Sequence, residues 1–106
     1  MATKDTFDLL QSRLDANPAK VAGMKAVYQF VIGGADPGVY YLSIADGKGM
    51  VVEGQHPSPN ITLTLASGDF ADMLNGKLDG TTAFMTGKLK IKGDMGLALK
   101  LQSLIK

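Results

Sequence analysis

The chain has 106 residues, 45% of them hydrophobic and 20% charged, with a formal net charge of +1. That balance excludes a disordered segment, and no apolar run approaches the roughly 20 residues that a membrane-spanning helix needs. With no cysteine, disulfides and thiolate chemistry are excluded as well.

The length predicts one domain over residues 1–106, burying roughly two thirds of its unfolded surface. An internal cavity is a burden on a core that small, unless an apolar ligand fills it. The first five residues, Met1 to Asp5, lack the apolar core of a signal peptide. Together with the missing cysteines this leads us to expect a cytoplasmic, reducing setting.

Phe7, Leu10 and Leu14 fall on one helical face, with Thr3 available as a cap, and Asn17-Pro18 stops that amphipathic helix and starts another turn. From Lys25 to Ile32 the sequence predicts a strand. Tyr28, Phe30 and Ile32 occupy one face and Val27 and Val31 the other, so the strand is expected to be covered on both sides. Residues 33–38, GGADPG, break it. Val39 to Ala45 makes a second strand, Asp46-Gly47 with Lys48-Gly49 signals a hairpin, and Met50 to Glu53 makes a third. After a loop with two prolines, Ile61 to Leu65 (ITLTL) is the cleanest period-two strand in the chain, with one face toward the core and one toward water.

Ser67 and Asp69 mark a helix start, Phe70, Met73 and Leu74 give it an apolar face, and Asn75-Gly76 ends it. Ala83-Phe84-Met85 is a brief apolar helical turn closed by Gly87. Leu89 and Ile91 then alternate with Lys88, Lys90 and Lys92 as a strand, and Asp94 caps a final helix beginning at Met95. On a helical wheel Met95, Leu97, Ala98, Leu99, Leu101, Leu104 and Ile105 cover most of that helix, leaving a narrow stripe of Gly96, Lys100, Ser103 and Lys106 for water. Two apolar faces need two partners. One face packs on a sheet; the other calls for a second helix, an oligomer partner, a membrane or a ligand, unless the helix is simply buried in the core. The order of elements reads as α+β, without internal repeats.

Residues 87–102, GKLKIKGDMGLALKLQ, resemble the C-terminal signature of the sterol carrier protein-2 family, the small nonspecific lipid-transfer domains. The resemblance is sharp over residues 76–102 and weaker over YQFVIGGADPGVYYLSIADGKG, while residues 1–24 match only in helical character. It implies a mixed five-stranded β-sheet with helices packed on one face, enclosing a hydrophobic lipid tunnel. Carried over by position, it implies a lining of Phe30, Ile32, Phe84, Met85, Leu89, Ile91, Met95, Leu99 and Gln102. The Gln102 amide is either a headgroup ligand at one end of the tunnel or an exposed terminal side chain. Met73 adds a flexible wall, since an unbranched thioether adapts to varied shapes.

Catalytic chemistry is missing from the same sequence. The only histidine, His56, sits in the loop Gln55-His56-Pro57-Ser58-Pro59, and most aspartates (Asp36, Asp46, Asp69, Asp79, Asp94) fall at expected caps or turns. Nothing has a metal-ligand spacing or the form of a phosphate-cradling loop, so no cofactor is expected. Charge is uneven: residues 77–106 carry six Lys against two Asp, or +4, whereas residues 1–76 carry five Lys or Arg against eight Asp or Glu, or −3. The basic end lacks interleaved Arg and aromatics, which argues against nucleic acid. Lys88, Lys90 and Lys92 either protect a strand edge or meet an anionic membrane or headgroup.

The resemblance therefore implies a non-enzymatic lipid-binding or transfer protein that sequesters a fatty acid, fatty acyl-CoA, sterol, phospholipid or related lipid. The alternative is an accessory module that presents a lipid-like substrate, such as a quinone precursor, to a partner enzyme. A third possibility is an interaction domain whose last helix is a dimer seam; the oligomeric state stays open.

Overall fold

A computed structural model describes residues 2–105. In chain order it contains α1 (Thr3–Ala16), a 3-10 turn (Pro18–Val21), β1 (Ala26–Gly33), β2 (Gly38–Ala45), β3 (Lys48–Glu53), β4 (Ile61–Ala66), α2 (Ser67–Leu74), α3 (Gly80–Met85), β5 (Leu89–Gly93) and α4 (Met95–Ile105). The strands form one mixed sheet in the order β3-β2-β1-β4-β5, in which β1 and β4 run parallel and every other neighbouring pair is antiparallel.

Register decides which residues share a face. Phe30 stands opposite Tyr40 on β2 and Leu63 on β4, and Leu63 and Leu65 stand opposite Ile91 and Leu89 on β5. These side chains form the inner face, and the helices pack on it. Phe7 of α1 stacks on Tyr40 with ring centroids 4.1 Å apart, meets Phe30 edge-on at 5.4 Å and touches Phe70 of α2 at 4.6 Å. An aromatic cluster thus pins two helices to the sheet.

The outer face is different from what the sequence predicts for β1. Val27 and Val31 are only half-buried, and no second layer covers them. Gln29 is the exception: its Oε1 accepts the His56 N–H, and the His56 ring meets Tyr41 edge-on, so the proline-containing loop lies over the sheet there. Two expected caps also change. The Thr3 side chain does not cap α1; its N–H and Oγ1–H are donated to the carboxylate and carbonyl of Asp36, which therefore closes the helix start from a distant turn. No side-chain hydrogen bond caps α2, and Ser67 Oγ instead accepts the Asp36 N–H. The β2–β3 hairpin is tighter than predicted. Asp46 and Gly47 both have positive φ, 53° and 75°, so a two-residue turn suffices and β3 begins at Lys48.

Two long-range side chains complete the frame. Gln11 accepts the Val51 N–H and donates to the Gly49 carbonyl, satisfying the backbone of edge strand β3. Arg13 donates to the carbonyls of Leu74 and Ile105, at the C-terminal ends of α2 and α4, where a cation complements both helix dipoles.

Candidate lipid-binding site

Gly93 sets the geometry of the site. It ends β5 with φ of 121°, and a Cβ there would lie 2.5 Å from the Asn60 carbonyl oxygen, so the chain needs glycine to turn from strand into α4. Asp94 then caps α4 by accepting the Gly96 N–H at 2.8 Å and the Leu97 N–H at 3.3 Å. Opposite, Asp79 caps α3 through the Thr82 N–H at 3.1 Å, so α3 starts at Gly80, one turn earlier than the sequence predicts. Between α3, β5 and α4 lies a cleft of about 260 Å³, lined by Phe84, Leu89, Ile91, Met95, Leu99 and Gln102 together with Gly80, Thr81, Ala98 and Leu101.

The two-faced character of the last helix accounts for this wall. Leu101, Leu104 and Ile105 are buried in the core, with Leu97 half-buried beside them. Met95, Ala98, Leu99 and Gln102, spaced i, i+3, i+4, i+7, turn toward the cleft. Lys106 of the expected polar stripe lies outside the described residues, as does Met1. The cleft is open rather than enclosed, since Phe84 is 47%, Met95 50% and Leu99 83% exposed.

Six of the expected lining residues therefore meet in one place: Phe84, Leu89, Ile91, Met95, Leu99 and Gln102. The other four lie elsewhere. Phe30 and Ile32 are buried in the core on the inner face, because α1 and α2 fill the space in front of β1. Met73 is buried on α2 and lies outside the lining, with its methyl group 3.5 Å from where a Cβ on Gly80 would stand. Met85 is 78% exposed at the end of α3 and lies outside the cleft. Sequence reasoning missed Gly80, Thr81, Ala98 and Leu101. Ala98 was legible from its i+3 spacing to Met95, whereas Gly80 and Thr81 follow from the earlier start of α3. Lys90 and Lys92 stand on the outer sheet face opposite Thr64 and Thr62, and Lys88 sits at the junction of α3 and β5.

One polar group is fixed in this apolar setting. Gln102 Oε1 accepts the Gly80 N–H at 2.8 Å. An N–H partner requires the oxygen on that side, so the Nε2 donors are left without a protein partner among the described residues, on a side chain that lines the cleft. Below the helix, Tyr28 donates its O–H to the Leu97 carbonyl at 2.7 Å. Burial, and then the charge of Asp94, push the Tyr28 phenol up to about 12, which keeps it a neutral donor. No titratable side chain lines the cleft, and among the described residues no group of three or more His, Asp or Glu is placed to hold a metal ion. His56 is remote from it, and its Nδ1 accepts the Ser58 N–H within its own loop.

The profile of the SCP-2 sterol transfer family matches residues 7–106. The chain belongs to that family. Its solved relatives share the fold: palmitated sterol carrier protein 2 like 2 from Aedes aegypti superposes with a TM-score of 0.82 at 25% identity, covering 99% of this chain and 95% of that one. A sterol carrier protein domain of Helicoverpa armigera gives 0.77 at 30% identity, covering 96% and 83%. Among longer relatives, hydroxysteroid dehydrogenase-like protein 2 of Xenopus tropicalis is 41% identical over 103 residues, which is 96% of this chain and 24% of that protein. The chain thus spans about a quarter of the length of the curated relatives it matches. Among the described residues no helix is long and apolar enough to cross a membrane.

Proposed function

We propose that the protein sequesters a long-chain lipid of the fatty-acid class in the cleft between α3, β5 and α4, in a cytoplasmic setting, and performs no covalent chemistry on it. The observation that carries this reading is a lining of apolar side chains with one oriented amide donor, Gln102 Nε2. Such a lining takes up an acyl chain through the hydrophobic effect, and its few polar groups fix orientation. The amide donates to a carboxylate, or equally to the carbonyl of a thioester or the hydroxyl of a sterol. The palmitated Aedes aegypti relative supports the choice of a fatty acid. In this proposal Met73 and Met85 adjust around the ligand as the cleft closes toward a tunnel, while Phe30 and Ile32 support the wall from the core.

Titration with a fluorescent long-chain fatty acid tests the reading. At about a hundred times the dissociation constant, binding should add roughly 2.7 kcal/mol of stability and raise the melting temperature. Acyl thioesters and sterols run in parallel rank the headgroups. Absence of binding and of a thermal shift with all three classes would overturn it.

A second reading, an accessory module that holds a lipid-like substrate for an enzyme, draws on the relatives in which the matched region is a quarter of a dehydrogenase-like protein. It differs in one outcome. A partner enzyme would then turn over its apolar substrate faster when this chain is added, whereas a self-sufficient carrier leaves that rate unchanged.

A further inference from the structure

The helices cover one face of the sheet and leave the other open. Across that outer face the register aligns Val52, Tyr41, Gln29, Thr62 and Lys92 in a single row over all five strands. The strands contain one carboxylate, Glu53, and it stands opposite the inward-facing Tyr40, so the outer positions carry none. Their charges are Lys48 on β3 and Lys90 and Lys92 on β5, all exposed and none in an ion pair among the described residues. Between these two basic edges the face is apolar or neutral, and the exposed Met50 and Val52 belong to it. A face that is merely solvated mixes both signs of charge. We propose that the outer sheet face docks a partner protein whose contact surface has an apolar centre flanked by carboxylates. The proposal goes beyond ligand binding and holds whatever the cleft contains. Leu89 and Ile91 line the cleft while Lys90 and Lys92 alternate with them, so a partner on the outer face leaves the mouth of the cleft free.

Charge and shape select this occupant. Two copies packed face to face would bring lysines together with no carboxylate to answer them, which opposes a second copy. A flat anionic bilayer meets the loop of residues 54–60 first. That loop is tied down by the His56 N–H on Gln29 Oε1 and by the His56 ring, 5.1 Å from Tyr41, and it stands above the sheet with Gln55, Pro57 and Ser58 exposed. Beside it the Val, Thr and Ser side chains of β1, β2 and β4 are too short to reach hydrocarbon. Nucleic acid is opposed by the absence of Arg from the strands and by the cover that His56 gives Tyr41, the only aromatic ring on this face. A protein surface can be shaped around the loop and still bring carboxylates to both edges. Five strands about 4.8 Å apart and six residues of about 3.3 Å long make a face of roughly 24 by 20 Å, the scale of a transient interface.

Site-specific photo-crosslinking on the full chain tests the proposal. The photoreactive residue p-benzoylphenylalanine is placed at Met50 on β3, at Thr64 on β4 and, as a control on the helix side, at Met85, and each protein is irradiated in a lysate of the source cells. Met50 and Thr64 should join one and the same protein, identified by mass spectrometry, and Met85 should not. Purified, that protein should bind the parent chain with an affinity that falls as salt rises. Lys90→Glu with Lys92→Glu should weaken the binding by about tenfold or more, while the melting temperature of this double variant stays that of the parent chain. Exchange of the partner's contacting carboxylates for lysine should restore binding to the double variant. The proposal is overturned if Met50 and Thr64 give no common product, or if the captured protein binds the double variant as tightly as the parent. Cross-links between two copies of this chain overturn it in favour of a dimer. Sedimentation with phosphatidylserine vesicles that the double variant loses overturns it in favour of a lipid surface.

Discussion

Leu99 borders an apolar cleft and yet is 83% exposed, so under the proposed function its side chain should matter to a ligand far more than to the fold. Leu99→Glu should leave stability within about 0.5 kcal/mol, as surface substitutions do. It should weaken fatty-acid binding by about tenfold or more, because bound hydrocarbon would desolvate the new carboxylate. Melting curves and ligand titration on the one variant separate the two effects. Tyr28 is the opposite case: it is fully buried, and its O–H holds the Leu97 carbonyl. Its phenol titrates near 12 in the folded protein against 10.0 for an unperturbed tyrosine, so the neutral form is favoured by folding. That contribution is complete below pH 10 and is lost as pH rises from about 10 to 12. Tyr28→Phe should cost about 0.5–1.5 kcal/mol at neutral pH and flatten the alkaline decline seen in chemical denaturation.

Helices α2 and α4 come from distant parts of the chain, yet both end on the guanidinium of Arg13. Arg13→Ala should destabilise by about 1.5–3 kcal/mol in urea denaturation, since two helix-terminal carbonyls lose a charged donor. Nothing in the sequence around Arg13 announces this role. The partners are 61 and 92 residues away, and a lone arginine on an exposed-looking helix position carries no local pattern. The elements themselves were legible wherever periodicity was strong, as in ITLTL, or turn chemistry was specific, as in Asp46-Gly47. The surplus apolar face of α4, Met95 and Leu99 included, was legible for the same reason, whereas Gln102 rested on the family resemblance alone. Depth was not legible. Phe30 has the same alternating, apolar environment in sequence as Leu89, and only the packing of Phe7 and Phe70 over β1 decides that one is core while the other faces the cleft.

At the scale of the whole molecule the cleft lies at one edge of the sheet, between β5 and helices α3 and α4, while the aromatic cluster fills the centre. Hydrogen exchange should reflect that division. Addition of a fatty acid should slow exchange at α3, β5 and α4 and leave the amides of β1 and β2 nearly unchanged, because local openings at the periphery are the ones a ligand suppresses. The central parallel pairing carries a further consequence, for the order of assembly. Residues 26–53 form a meander of sequential hairpins, whereas β4 reaches β1 only by pairing residues about 33 positions apart, as in Tyr28 with Ile61. Closing that long loop is the slow entropic step, and α4, which completes the cleft, lies further along the chain still. A nascent chain would thus carry its nucleus first and its binding site last. Ligand should then slow unfolding in stopped-flow experiments while leaving the refolding rate nearly constant, so that a loaded carrier is protected kinetically by a cargo that took no part in folding it.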